Sequence, residues 1–139
     1  MARLKSILLV LPFALGAVPA AWAQATSCPP PTRAMLRAEL YFGRNVAGRL
    51  GVGARQWDHF LAREITPRFP DGLTVLDARG QWRNPARQKL VREPSKLVVI
   101  VAADDAETRR RLAEVAAAYK KRFRQKSIGL VLSAVCAAF

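Results

Sequence analysis

Seven residues carry most of the chemistry this chain could perform: Glu39, Tyr41, Arg79, Gln81, Trp82, Arg92 and Glu93. Arginine together with glutamine and tyrosine is a donor set that grips a carboxylate or phosphate through several hydrogen bonds. A glutamate held in a dry pocket can serve as a general base. A plainer role competes with these: Glu39 and Glu93 pair with nearby arginines and Trp82 packs at the margin of the core, because structural ion pairs also perturb carboxylates.

Other reactive groups are sparse. His59 is the one histidine and Asp58 is its neighbour. Residues one apart on a helix do not face each other, and a metal needs three or four converging ligands, so no metal site is expected. Gly48, Gly51 and Gly53 follow a strand but match neither the dinucleotide-binding nor the Walker spacing. No Ser-His-Asp arrangement is readable, and no cofactor is expected.

Two cysteines follow the first 23 residues, Cys28 and Cys136, with no C-x-x-C between them. An even count in an exported chain predicts a disulfide rather than a redox site. Export is the reading of the N-terminus. Arg3 and Lys5 form a positive start, Ile7 to Val18 is an apolar run, and Ala21-Trp22-Ala23 is a small-x-small cleavage pattern. The run is far shorter than the roughly 20 residues of a spanning helix, so the mature chain is expected to begin at Gln24 with no transmembrane segment. Cys28 lies too far from the apolar run to be a lipidation site. Residues 1–23 are thus read as a signal peptide, 24–36 as a proline-rich extension, and 37–139 as one domain, placed in the periplasm or secreted.

The whole chain carries 23 basic and 10 acidic side chains. Without Arg3 and Lys5, 21 cations face 10 anions, a net charge near +11. Such a charge attracts anionic partners over long range. Export removes nucleic acid from the expected partners and leaves anionic small molecules and the anionic surfaces of the cell envelope.

The elements that must position these residues follow from periodicity. Pro29-Pro30-Pro31 reads as a stiff extended spacer. Leu36 to Phe42 alternates, with Leu36, Ala38, Leu40 and Phe42 on one face and Arg37, Glu39 and Tyr41 on the other. Gly43 to Gly53 reads as a loop. Trp57, Phe60, Leu61 and Ile65 form one stripe of a helix over 54–65, stopped by Pro67. Leu73 to Arg83 is a second strand, where Gly80 marks a bulge or a close approach. A polar, basic connection from Asn84 then leads to a third strand, Leu97 to Val101, apolar on both faces. Asp104 to Phe123 is a helix with Asp104 as its cap, and Ile128 to Phe139 is the last strand.

The order β-α-β-β-α-β predicts an α+β, ferredoxin-like βαββαβ sandwich, a four-stranded antiparallel sheet with both helices on one face. The last strand then lies beside the first, which brings Cys136 near Cys28. The other face stays open. Arg37, Glu39 and Tyr41 are expected there, with Asp77, Arg79 and Gln81, with Lys96, Val98 and Ile100, and with Val131, Ser133 and Val135.

The segments Arg37-Ala38-Glu39-Leu40-Tyr41-Phe42-Gly43, Phe69-Pro70-Asp71-Gly72-Leu73-Thr74-Val75, Arg79-Gly80-Gln81-Trp82, Arg92-Glu93-Pro94-Ser95-Lys96 and Tyr119-Lys120-Lys121-Arg122-Phe123 resemble the bacterial domain-of-unknown-function family numbered three-five-seven-four. The resemblance spans nearly all of the mature domain and implies no catalytic or ligand residue. In this chain Gly51-Val52-Gly53 stands where that family's polar helix cap is expected.

Three functions are in play. The first is a non-catalytic exported binding or interaction module, a homodimer through its open sheet face. The second is a small enzyme acting on an anionic small molecule, with Glu39 or Glu93 as base and Arg79 as clamp. The third is a basic envelope-associated protein. The export reading predicts that the purified protein has the intact mass of a chain starting at Gln24 and takes up no alkylating reagent before reduction. Two thiols alkylated in the unreduced native protein would contradict it.

Overall fold

β1 (Arg33–Gly43) is the strand around which the rest assembles. Its alternation puts Leu36, Ala38, Leu40 and Phe42 on one face, and all four are buried. The computed structural model describes residues 27–139, so the expected signal peptide and its cleavage site lie outside the described residues. The first four residues of β1 fall in what was expected to be the extension.

After β1 the chain makes a small hairpin, β2 (Asn45–Val46) and β3 (Arg49–Leu50). Ala47 and Gly48 turn it with φ of 51° and 81°, the left-handed pair that a two-residue hairpin loop of type I′ needs. The glycine-rich segment expected as loop therefore contains paired strand. α1 (Ala54–Phe60) continues as a π-helical turn, Leu61–Ile65, and a 3-10 turn, Thr66–Arg68. Gln56 replaces the missing cap side chain by accepting the Gly53 N–H at 2.8 Å.

β4 (Thr74–Asn84) and β5 (Lys89–Ala102) pair over their whole shared length. The basic connection expected after Asn84 is thus mostly strand, and its continuous register leaves no bulge at Gly80. β1 covers β5 only from Ser95 to Ala102, so residues beyond Ser95 form a two-stranded arm past the end of β1. Pro94 fits there because its carbonyl accepts from Arg44 N–H at 3.0 Å. Its hydrogen-free nitrogen points the same way, toward a flank where β1 has run out.

α2 (Ala106–Phe123) is capped by Asp105, whose carboxylate accepts the Thr108 N–H at 2.7 Å. The cap is one residue later than expected because Asp104 instead pairs with Arg109 at 2.5 Å. β6 (Gly129–Ala137) closes the sheet, giving the order β4-β5-β1-β6 with every neighbour antiparallel.

Both helices cover the same face of this sheet. Trp57 and Phe60 of α1 and Leu112, Val115, Tyr119 and Phe123 of α2 join the buried face of β1 in one core. Phe42 meets the Tyr119 ring edge-on at 4.7 Å, and Phe60 meets it at 5.1 Å. The Tyr119 hydroxyl donates to the Gly43 carbonyl at 2.9 Å, which fastens the end of α2 to the end of β1. Burial pushes the pKa of that hydroxyl well above the usual tyrosine value.

Cys28 and Cys136 form a disulfide with their Cα atoms 5.5 Å apart, across 108 residues of sequence. Cys136 lies opposite Ala34 in the β1–β6 ladder. Reaching it requires the chain to double back before β1. The prolines do this as a tight turn, with Thr32 N–H donating to the Pro29 carbonyl at 2.9 Å, and not as the extended spacer expected. No helix among the described residues is long and apolar enough to cross a membrane.

Tyr119→Phe removes one donor from a buried carbonyl and is expected to lower unfolding stability by about 1–2 kcal/mol with the fold intact. Denaturant unfolding checks this, and an unchanged midpoint would mean that the bond contributes nothing.

Candidate functional site

The open face of the sheet is the surface to which the central strands bring side chains without covering them. Parity in β1 places Arg37, Glu39 and Tyr41 there, as expected. Opposite them in β6 stand Ser133, Val131 and Gly129, and in β5 Val101, Val99 and Leu97.

The expected β5 set is corrected. Val98 pairs with Leu40 and Ile100 with Ala38, so both lie in the core, and Lys96 shares their face. β5 is apolar on both faces, so only its pairing with β1 fixes which residues turn inward. The β4 set is corrected by the same register. Asp77, Arg79 and Gln81 stand opposite Lys96, Pro94 and Arg92 on the helix side, and Thr74, Leu76 and Ala78 take the open face.

The seven candidate residues therefore divide into groups. Glu39 and Tyr41 lie together at the centre of the open face. Glu39 bonds Arg37 at 2.6 Å through one carboxylate oxygen and accepts the Tyr41 hydroxyl at 2.5 Å through the other. That hydrogen bond to a carboxylate holds the Tyr41 pKa above its ordinary value. The Tyr41 ring leans over Gly129, where an added Cβ would meet it at 3.1 Å.

Glu93 and Trp82 lie on the same side as the open face but out on the arm. The Glu93 carboxylate packs over Gly43, where a Cβ would come within 2.9 Å of it, and accepts the Asn45 N–H at 3.2 Å. It thereby ties the β2–β3 hairpin to the base of the arm. Trp82 is half exposed. Arg79, Gln81 and Arg92 occupy the other side of the arm, where Arg92 donates to Gln81 at 3.0 Å. They border a shallow hollow of about 850 Å³ with Asp77 and Pro94.

Chemically, both glutamates are already engaged, Glu39 by an arginine and a tyrosine and Glu93 by backbone. The sheet stands between Arg79 and both of them. His59 is exposed, and its Nδ1 accepts from Arg122 at 3.1 Å. Among the described residues no cluster of His, Cys, Asp and Glu could hold a metal ion.

Sequence reasoning placed Val131 and Val135 on this face but missed Leu76, Leu97, Val99 and Val101, which make up most of its apolar area. Tyr41, Leu76 and Val131 are 40%, 45% and 48% exposed, beside half-buried Leu97, Val99, Val101 and Val135. The signal was present in the doubly apolar run of β5, whose second face had no helix left to cover it.

An antiparallel four-stranded sheet with two helices on one face and an uncovered, largely apolar other face defines the class, a small α+β domain. The family profile of a protein of unknown function, DUF3574, matches residues 37–139, and the chain belongs to that family. Two solved structures share the fold. A phage SAM lyase in complex with S-methyl-5′-thioadenosine is 13% identical, with a TM-score of 0.59 over 76% of this chain and 90% of that one. A phage SAM lyase in its apo state is 13% identical, with a TM-score of 0.56 over the same shares. No curated protein matches.

Charged pairs on the helices give a pH prediction. Hydrogen bonds from Arg110 and Arg111 hold Glu107 down to about 2, and the backbone N–H of Thr108 lowers Asp105. Lys96 lowers Asp77. Because folded-state values lie below unfolded ones, the unfolded chain takes up protons first as pH falls. Stability should be flat from about pH 5 to about pH 8 and decline from about pH 4 towards 2. Melting temperature against pH checks it, and a maximum below pH 4 would contradict the assignment.

Proposed function

We propose that this chain is an exported, non-catalytic interaction module that associates with a second copy through its open sheet face. The fold reading that goes with it is the ferredoxin-like sandwich, supported by the strand order and by helices confined to one side. Export, with cleavage after Ala23 and residence in the periplasm or outside the cell, is supported by the composition of the leader and by the cysteine pairing.

The observation that carries the reading is the contrast between this face and the rest of the surface. On a chain with 23 basic and 10 acidic side chains, the face is close to neutral, with Arg33, Arg37 and, at the end of the arm, Lys89 set against Glu39 and Glu93. Its remaining area is aliphatic and aromatic, the composition of an interface core. Arg37 and Glu39 are two residues apart on one strand. A two-fold axis passing between them lets each arginine reach its partner's glutamate, as an isologous interface requires. The adjoining edge strand β6 carries no charge from Gly129 to Ala137, whereas β4, at the opposite edge, carries Asp77, Arg79 and Arg83. Charged edges resist pairing with other chains, and an uncharged one does not.

A second reading is the small enzyme, with two observations in its favour, although the neighbour's ligand is an uncharged nucleoside and not the anion expected. A structural neighbour is described with S-methyl-5′-thioadenosine bound, and Glu39 with Tyr41 forms a hydrogen-bonded pair on the open face. Arg79, the expected clamp, is on the other side of the sheet from Glu39.

Sedimentation velocity separates the readings. The wild-type protein should sediment as a dimer, and Val131→Lys should weaken association roughly thirty-fold, the ~2 kcal/mol of an interface-centre residue. A strictly monomeric wild type at high concentration would remove the proposal. A melting-temperature rise with S-methyl-5′-thioadenosine that Glu39→Gln abolishes would favour the enzyme.

A further inference from the structure

The excess charge of this protein is not spread over its surface. It is gathered at one end. The end of β1 and the small hairpin bring Arg44 and Arg49 there, and the first turn of α1 brings Arg55. The arm carries Arg79, Arg83, Arg87, Lys89 and Arg92. The last turn of α2 and the loop after it carry Lys120, Lys121, Arg122, Arg124 and Lys126. Contacts hold these three groups together. Tyr119 bonds Gly43, Gln125 donates to the Asn45 carbonyl at 2.8 Å, and Asn45 in turn reaches Glu93 on the arm. Arg122 meets His59 of α1. Asp58 and Glu93 are the carboxylates at this end.

The opposite end is balanced. Arg68 pairs with Glu64 and Glu114, Arg109 with Asp104, and Arg110 and Arg111 with Glu107. Between the ends, Arg37–Glu39 and Lys96–Asp77 cancel as well. The net charge of residues 27–139 therefore resides in the basic pole. β1 separates the two ends by roughly 33 Å at about 3.3 Å per residue. That is several times the ~8 Å Debye length at physiological salt, so the balanced end does not screen the basic one.

The basic pole also exposes apolar side chains. Leu50, opposite Asn45 in the hairpin, is 59% exposed, and Trp82 and Leu90, on opposite faces of the arm near its end, are 46% and 48% exposed. Cations around protruding aliphatic and indole groups are the pattern of a protein that lies on a bilayer. The cations meet anionic head groups, and the apolar tips enter the interfacial region, where tryptophan is favoured. Nucleic acid would use the cations and Trp82, but a phosphate backbone offers Leu50 and Leu90 nothing to bury against.

We infer that the basic pole is a membrane-docking surface for anionic phospholipid. The inference does not depend on the open-face dimer.

The test is cosedimentation of the full chain with vesicles of equimolar phosphatidylglycerol and phosphatidylcholine, beside vesicles of phosphatidylcholine alone. Binding should be confined to the anionic vesicles and should fall steeply as salt rises. At roughly fivefold per cation near the surface, the combined variant Arg83→Glu, Arg87→Glu, Lys89→Glu should lower partitioning on the order of a hundredfold or more. Arg124→Glu with Lys126→Glu, on a different element, should weaken it too and guards against a damaged arm. Trp82→Ala should remove most of the binding that survives high salt. Any contribution of the N-terminal leader, which carries Arg3 and Lys5, is common to all variants and cancels when each is compared with the wild type. Equal binding to both vesicles, indifference to both charge reversals, or tight oligonucleotide binding without vesicle binding would each overturn the inference.

Discussion

Leu40 and Phe42, wholly buried on the inner face of β1, set the terms for everything around them. A strand can turn only every second residue inward, so burying these two fixes Arg37, Glu39 and Tyr41 outward. The partners then have no choice of parity. Val98 must face Leu40, and Leu130 must share its side. Because α1 and α2 both pack on that side, the sheet is left with one covered and one bare surface. The bare one inherits the second apolar row of β5. The covered side ends in the Phe42, Phe60 and Tyr119 cluster, and the Tyr119 hydroxyl there holds a strand end that would otherwise fray.

Much of this was legible in the residues. The strict alternation of β1, the stripe of Trp57, Phe60 and Ile65, and the polarity of α2 each specify one element and one face. Pairing Cys28 with Cys136 follows from where the first and last strands must lie. What the sequence could not show was parity in strands lacking a polar face. Leu97 to Val101 reads the same in either register, and one residue of difference exchanges core for surface. Residues 84–96 read as loop because charges and Pro94 disguise a ladder that β1 does not flank. The candidate site suffered from the same ambiguity. Glu39 and Tyr41 could be assigned together because they share a strand, whereas Arg79, Gln81 and Arg92 depended on a register that only pairing decides. The gathering of charge was equally hidden, since basic residues scattered along three segments become neighbours only after folding.

The division of labour between the two surfaces has a physical logic. Self-association is opposed by like charge, and it is least opposed where the charge cancels. Attraction to an anionic surface is strongest where the cations are unpaired. The fold keeps these requirements apart by pairing acids with arginines along α2, leaving Glu93 as the one carboxylate of the arm and none at the helix end. As proposed, the bare sheet face and the basic pole meet on the arm, where Glu93 and Trp82 lie on the side of the bare face.

The disulfide and β6 have a further consequence for how the chain matures. β1 comes first among the strands, yet one of its two flanking strands, β6, comes last among those described, and the crosslink joining their ends spans 108 residues. Until that segment arrives the central strand has an open flank, and contacts between such distant parts of a chain form slowly. A sheet completed only by β6 stays unfinished until that strand has been made. Export as an unfolded thread, as proposed for this chain, would benefit from that delay.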